Sequence, residues 1–119
     1  MSISSFRELV VWQKAMVLAK DVYAATRVFP KEEQFGLTLQ VRKSVVSVPS
    51  NIAEGNGRGT WNDYVHFLYI ARGSLFEAET QLELARDFGY LPDPTFQSLL
   101  SLCNEIERML NAIITKLSS

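Results

Sequence analysis

The sequence predicts an all-α protein, an antiparallel up-down-up-down four-helix bundle. Three observations lead there. Apolar residues recur in alternating steps of three and four along four segments. No segment alternates apolar and polar residues with the period of two that an exposed strand needs. The segments are joined by short links marked with proline, glycine or capping residues, which force consecutive helices to run antiparallel. A length of 119 residues suits one domain with one core, residues 1–119.

The first helix is expected over about 6–27, capped by Ser4 or Ser5 and stopped by Pro30. Leu9, Trp12, Met16, Ala19 and Tyr23 form its expected core seam. Val11, Leu18, Val22 and Ala25 make a second apolar strip beside it, so the apolar surface is wider than one core requires. The excess predicts cover from outside the monomer.

The second helix is expected over about 33–54, with Val41, Val45, Val48 and Ile52 inward and Gln40, Lys43, Ser47, Ser50, Asn51 and Glu54 on the other face. Pro49 lies in its interior, where the missing amide and the crowding ring cost about 3 kcal/mol unless compensated. A kink follows from that, with Ser47 and Ser50 placed to bond the freed carbonyls.

Thr60 and Asp63 mark the start of a third helix over about 60–88 through reciprocal capping. Trp61, Tyr64, Leu68, Ala71, Leu75, Ala78, Leu82 and Ala85 keep the three-four rhythm up to Gly89. Ala71 and Ala78, beside Gly73 and Ser74, let a neighbouring helix approach, while Val65, Tyr69, Phe76 and Phe88 fall off the seam and require other cover. Asp93 and Pro94 open the fourth helix over about 93–117, with Phe96, Leu99, Cys103, Ile106, Leu110, Ile113 and Leu117 as its stripe.

Composition narrows the function classes. The hydrophobic fraction of 47% with 21% charged residues is that of a folded chain. The apolar runs are broken by charge well short of the ~20 residues a membrane span needs. The opening MSISSFRELVVWQK lacks the apolar core of an export signal, and the lone Cys103 reads as a small buried residue, so a reducing cytoplasm is expected. Net charge is −1, which gives no bulk field for nucleic acid. Its distribution is uneven: residues 1–74 carry nine Lys or Arg against six Asp or Glu, and residues 75–119 carry three against seven.

The stretch SVPSNIAEGNGRGT joins the second helix to the third and contains Ser47, Pro49, Ser50, Asn51, Glu54, Gly55, Gly57 and Arg58. It is expected to act as a structural and assembly motif, with the glycines making a tight corner and Arg58 pairing with Glu54 or capping carbonyls. Glycines and an arginine before a helix also resemble the parts of an anion site, but the strand and GK[ST] ending of a P-loop are missing. The alternative reading is a small-ligand-binding or hydrolytic protein using Asn51, Glu54 and Arg58. A transition-metal centre lacks its ligands there, and His66 with Asp63 supplies only one of the two carboxylate-x-x-His pairs of a bundle di-iron site. His66 is read as a surface residue, and Glu77, Glu79 and Glu83 as a solvated face. No metal, cofactor or catalytic group is expected. Lys14, Lys20, Arg27, Arg42, Lys43 and Arg58 could contact phosphate if the first two helices lie side by side, aided by Trp61.

The blocks FRELVVWQKAMVLAKDVY, FPKEEQFGLTLQVRKSVVSVPSNIAEGNGR and IARGSLFEAETQLELARDFGYL resemble, in order and spacing, the bacterial 23S rRNA intervening-sequence proteins. That family is similar in architecture to the accessory variability proteins of diversity-generating retroelements, basic five-membered rings that bind nucleic acid and a reverse transcriptase. The resemblance implies a four-helix bundle and a ring-forming homo-oligomer, five subunits being the implied number. Partners it implies are RNA or DNA and a protein such as a reverse transcriptase. It implies no enzyme. At pI ≈ 5.8 this chain is less basic than the retroelement proteins.

Overall fold

The computed structural model describes residues 5–118. Four α-helices, α1 (Val10–Thr26), α2 (Leu37–Asn56), α3 (Trp61–Asp87) and α4 (Asp93–Ser118), form a bundle of 46 × 24 × 20 Å, and no strand occurs among the described residues. Each helix packs on its neighbours in the cyclic order α1, α2, α3, α4, α1. That arrangement follows from short connections between helices too long to fold back on themselves.

The boundaries differ from the sequence expectation at two N-termini. Ser5 caps a 3₁₀ turn, Phe6–Glu8, rather than α1 itself, its hydroxyl accepting from the Arg7 amide at 3.1 Å. Leu9 then takes an extended conformation and α1 starts at Val10. Ser4 lies outside the described residues. Likewise Lys31–Glu33 is a separate 3₁₀ turn, and Glu33 does not open α2. Its Oε1 instead accepts from the Leu37 amide at 3.0 Å and supplies an orphan donor of α2 with a partner. The expected start of α3 holds in its Thr60 half: the hydroxyl accepts from the Asp63 amide at 3.2 Å. At its far end Gly89, with φ +83°, lets the amides of Gly89 and Tyr90 return to the carbonyls of Arg86 and Ala85. Such a left-handed position favours glycine.

The core is continuous along all four helices. Val41, Val45, Val48 and Ile52 of α2 and the Tyr64 to Ala85 seam of α3 are buried as their spacing predicts. Three expectations fail. In α1 the buried strip is Val11, Ala15, Leu18 and Val22, while Trp12, Met16 and Ala19 sit at its edge and Tyr23 is exposed. The two strips have the same rhythm, and the bundle centre takes the slimmer one. Trp61, assigned to the seam of α3, is 67% exposed. In α4, Ile114 is buried in place of Ile113, because a strict seven-residue repeat drifts by ~20° per heptad on a straight helix.

Closest packing falls between α2 and α3. Small residues allow it: Gly55 of α2 packs on Phe67 and Tyr64, Ser44 meets Gln81, and the Ser47 and Ser74 hydroxyls lie 2.8 Å apart. Gly73 takes no part, since a Cβ there would meet nothing within 4 Å.

Candidate assembly surface and the glycine corner

α2 runs unbroken through Pro49, whose side chain is buried. Local side chains reinforce the backbone around it. Ser50 donates to the Val46 carbonyl at 2.7 Å, and Asn51 Nδ2 donates to the carbonyl and hydroxyl of Ser47 at 2.8 and 2.9 Å. Ser47 turns to Ser74 rather than to a freed carbonyl, contrary to expectation. Ser44 extends the polar seam by donating to Gln81 Oε1 at 2.9 Å. Each such bond contributes ~1 kcal/mol net, and the two that cross to α3, from Ser47 and Ser44, fix the register of the two helices.

Asn51 is therefore committed to Ser47 of its own helix. Glu54 pairs with Arg58 one turn on, Oε2 to Nε at 3.4 Å, and the Arg58 guanidinium also lies 4.9 Å from the centre of the Phe67 ring. Both ends of that pair are well exposed, so it contributes little to stability. Gly55 has a steric role: a Cβ on it would stand 2.6 Å from the Phe67 β-carbon. Gly57 has none of that kind, as its Cβ would meet only carbonyl oxygens at 3.6 Å or more. Asn51 is thus bonded to Ser47 while Glu54 and Arg58 pair with each other, with no histidine or cysteine among them.

The cations proposed from sequence do not form one patch. Lys14 faces α4 and bonds Glu105 at 2.9 Å. Arg42 ties down the end of α1: Nε donates to Thr26 Oγ1 at 2.9 Å, an Nη donates to the Tyr23 carbonyl at 3.3 Å, and the guanidinium stacks 4.5 Å from the Tyr23 ring. Arg58 lies beyond the opposite end of α2. Lys20, Arg27 and Lys43 are exposed.

The outward side of α1 and α2 is the feature that sequence reading located incorrectly. Trp12, Met16, Ala19 and Lys20 of α1 meet Val46, Pro49, Ser50 and Ala53 of α2 around an open groove of ≈ 360 Å³. Lys20 is the only charged residue on this lining. The α1 seam assigned to the core therefore faces sideways. Val46 and Ala53 were missed, although both fall beside Pro49 on a helical wheel. On α3, Tyr69 and Phe76 are 46% and 42% exposed, and a spacing of seven puts them with Glu83 on one stripe. His66 is exposed and packs edge-on against Phe67.

One carboxylate departs from the solvated face expected of it. Glu79 is half-buried toward α4, and its Oε2 is buried without a hydrogen-bond partner. Burial, followed by the charge of Glu107, raises its pKa. Cys103 nearby is buried, and desolvation, with a smaller contribution from Glu79, pushes its thiol up to about 12. No group of three or more potential metal-ligating His, Cys, Asp or Glu side chains occurs among the described residues, and no helix is long and apolar enough to cross a membrane.

The fold and surface define a small four-helix bundle whose apolar residues form both a closed core and a lateral groove. The chain belongs to the 23S rRNA-intervening sequence protein family, whose profile matches residues 7–112. It is similar to a protein of unknown function from the S23 ribosomal protein family of Bacteroides thetaiotaomicron, seen in a crystal structure. The two share 26% identity with a TM-score of 0.80, over 88% of this chain and 98% of that one. No curated protein shows significant similarity.

Proposed function

We propose that this protein is a non-catalytic scaffold that assembles into a closed homo-oligomeric ring. The observation that carries this reading is the lateral groove between α1 and α2, an apolar surface with no segment of the described chain over it. Its counterpart is the Tyr69 and Phe76 stripe on α3 of the next copy. The groove side carries Lys20, with Arg42 beyond it, whereas the stripe ends in Glu83, so unlike faces attract. A contact between two different faces closes into a ring when its rotation divides the circle. Five subunits is the number that the family resemblance implies. Each large side chain covered contributes ~1.5–3 kcal/mol before the cost of association.

Nucleic acid, or a protein such as a reverse transcriptase, is the proposed cargo of the ring. Arg27 and Lys43, exposed outside the groove and repeated in every copy, would hold phosphate through contacts that weaken steeply with salt. Light scattering coupled to size exclusion tests the assembly: a mass several times 13.5 kDa is expected. Val46→Asp and Phe76→Asp should each yield a helical monomer. A wild-type monomer at micromolar concentration defeats the ring. Retention of labelled RNA or DNA at low salt, absent from an Arg27→Glu/Lys43→Glu variant of unchanged mass, tests the cargo.

A further inference from the structure

A second, larger cleft of ≈ 560 Å³ opens at the end of the bundle where the α2–α3 corner meets the first residues of α1 and the last turns of α4. It shares no lining residue with the lateral groove. Its volume is that of a site for one small organic molecule. The chemistry of its lining is mixed. Leu9, Ile113 and Leu117 give it an apolar floor, and Trp61 and Tyr64 supply aromatic walls.

Two features separate this cleft from an incidental gap between helices. Trp61 occupies the first position of α3, where helix formation asks nothing of an indole, and it leaves 67% of its surface open beside the cleft. Gly59, on the same rim, has φ +93° and open space where a Cβ would stand, so the corner bends away and leaves the mouth clear.

Lys116 is the one formally charged residue in the lining. An ammonium carries three donors, so a contact it already makes leaves capacity for a further acceptor. We infer that this cleft binds a small planar aromatic anion, with the ring against Trp61 and Tyr64 and the anionic group at Lys116. An aryl carboxylate and a mononucleotide both have that chemistry.

The test uses the full chain and 1-anilinonaphthalene-8-sulfonate as a fluorescent aromatic anion. Saturation at one probe per chain is expected. Trp61→Ala and Lys116→Gln should each weaken binding by about tenfold, the scale of a lost aromatic stack or charge contact. Trp61 is exposed enough that its truncation should leave helicity unchanged, and Lys116→Gln provides an independent second variant. Val46→Asp, in the lateral groove, should leave probe affinity unaltered, which keeps this result separate from ring assembly. Displacement by salicylate identifies the carboxylate class, and displacement by adenosine monophosphate the nucleotide class. Probe affinity unchanged in both cleft variants, affinity lost in Val46→Asp, or displacement by neither competitor would overturn the inference.

Discussion

Gly55 and Phe67 meet so closely that the α2–α3 interface has no room for a methyl group between them. A Cβ on Gly55 would lie 2.6 Å from the Phe67 Cβ and 3.2 Å from the Tyr64 carbonyl oxygen, and backbone cannot yield as a side-chain tip can. Gly55→Ala should therefore lower stability by about 1–3 kcal/mol, the usual cost of overpacking. Gly57→Ala, two residues on and unobstructed, should be neutral or stabilising by up to about 1 kcal/mol. Urea unfolding of the two variants side by side checks the contrast, and equal losses would refute it.

Arg42 is placed to hold the last turn of α1 to α2. Arg42→Met keeps the aliphatic stem but removes the donors to Thr26 Oγ1 and the Tyr23 carbonyl. A loss of about 1 kcal/mol is expected, a fall of about 4 °C in Tm for a domain of 119 residues. Arg42→Lys should recover little of it, because a single ammonium lacks the planar fork that reaches both acceptors.

Cys103 should be chemically silent in the folded protein. Its thiol is raised to about 12, so at pH 8 almost none is thiolate, and it is buried as well. Ellman's reagent should react at a rate set by unfolding, and within seconds once denaturant is added. Rapid native labelling would show that α3 and α4 separate readily at this level.

Glu79 makes stability depend on pH in a definite direction. Its folded pKa is raised, chiefly by burial and then by Glu107, so folding favours its protonated form. The stabilising contribution is complete below the ordinary carboxylate range and is lost as pH rises through the raised value. Glu79→Gln should raise Tm by a few degrees at pH 7 and lose that advantage in acid. Thermal scans between pH 4 and 7 test it, and a constant difference across the series would exclude this role.

Much of the bundle was legible because helix spacing and capping are local properties. The α2 and α3 seams, the Thr60 cap and the Gly89 stop all follow from residues within one or two turns. The side on which α1 meets the core was not legible, because Val11-Leu18-Val22 and Trp12-Met16-Ala19 carry the same periodic signal. Only the space left between the other three helices chooses between them. For the same reason Glu33 was read as a helix member: its role is to accept a bond from Leu37, a contact that depends on the intervening turn. Among the candidate sites, the pairing of Glu54 with Arg58 was visible as an i,i+4 spacing. The bundle-end cleft was hidden, since Leu9, Trp61 and Lys116 come from three distant parts of the chain.

The division of labour along α1 has an evolutionary consequence. Ala15, Leu18 and Val22 are constrained by the interior alone, whereas Trp12, Met16 and Ala19, half-buried at the core's edge, answer also to whatever lies against the flank of the molecule. Mutations in the second set can accumulate without first crossing an unfolded ancestor. A library randomised at those three positions should yield many folded clones that differ in what they associate with, while one randomised at the first set should be mostly purged. A single helix of seventeen residues would then carry two overlapping records of selection.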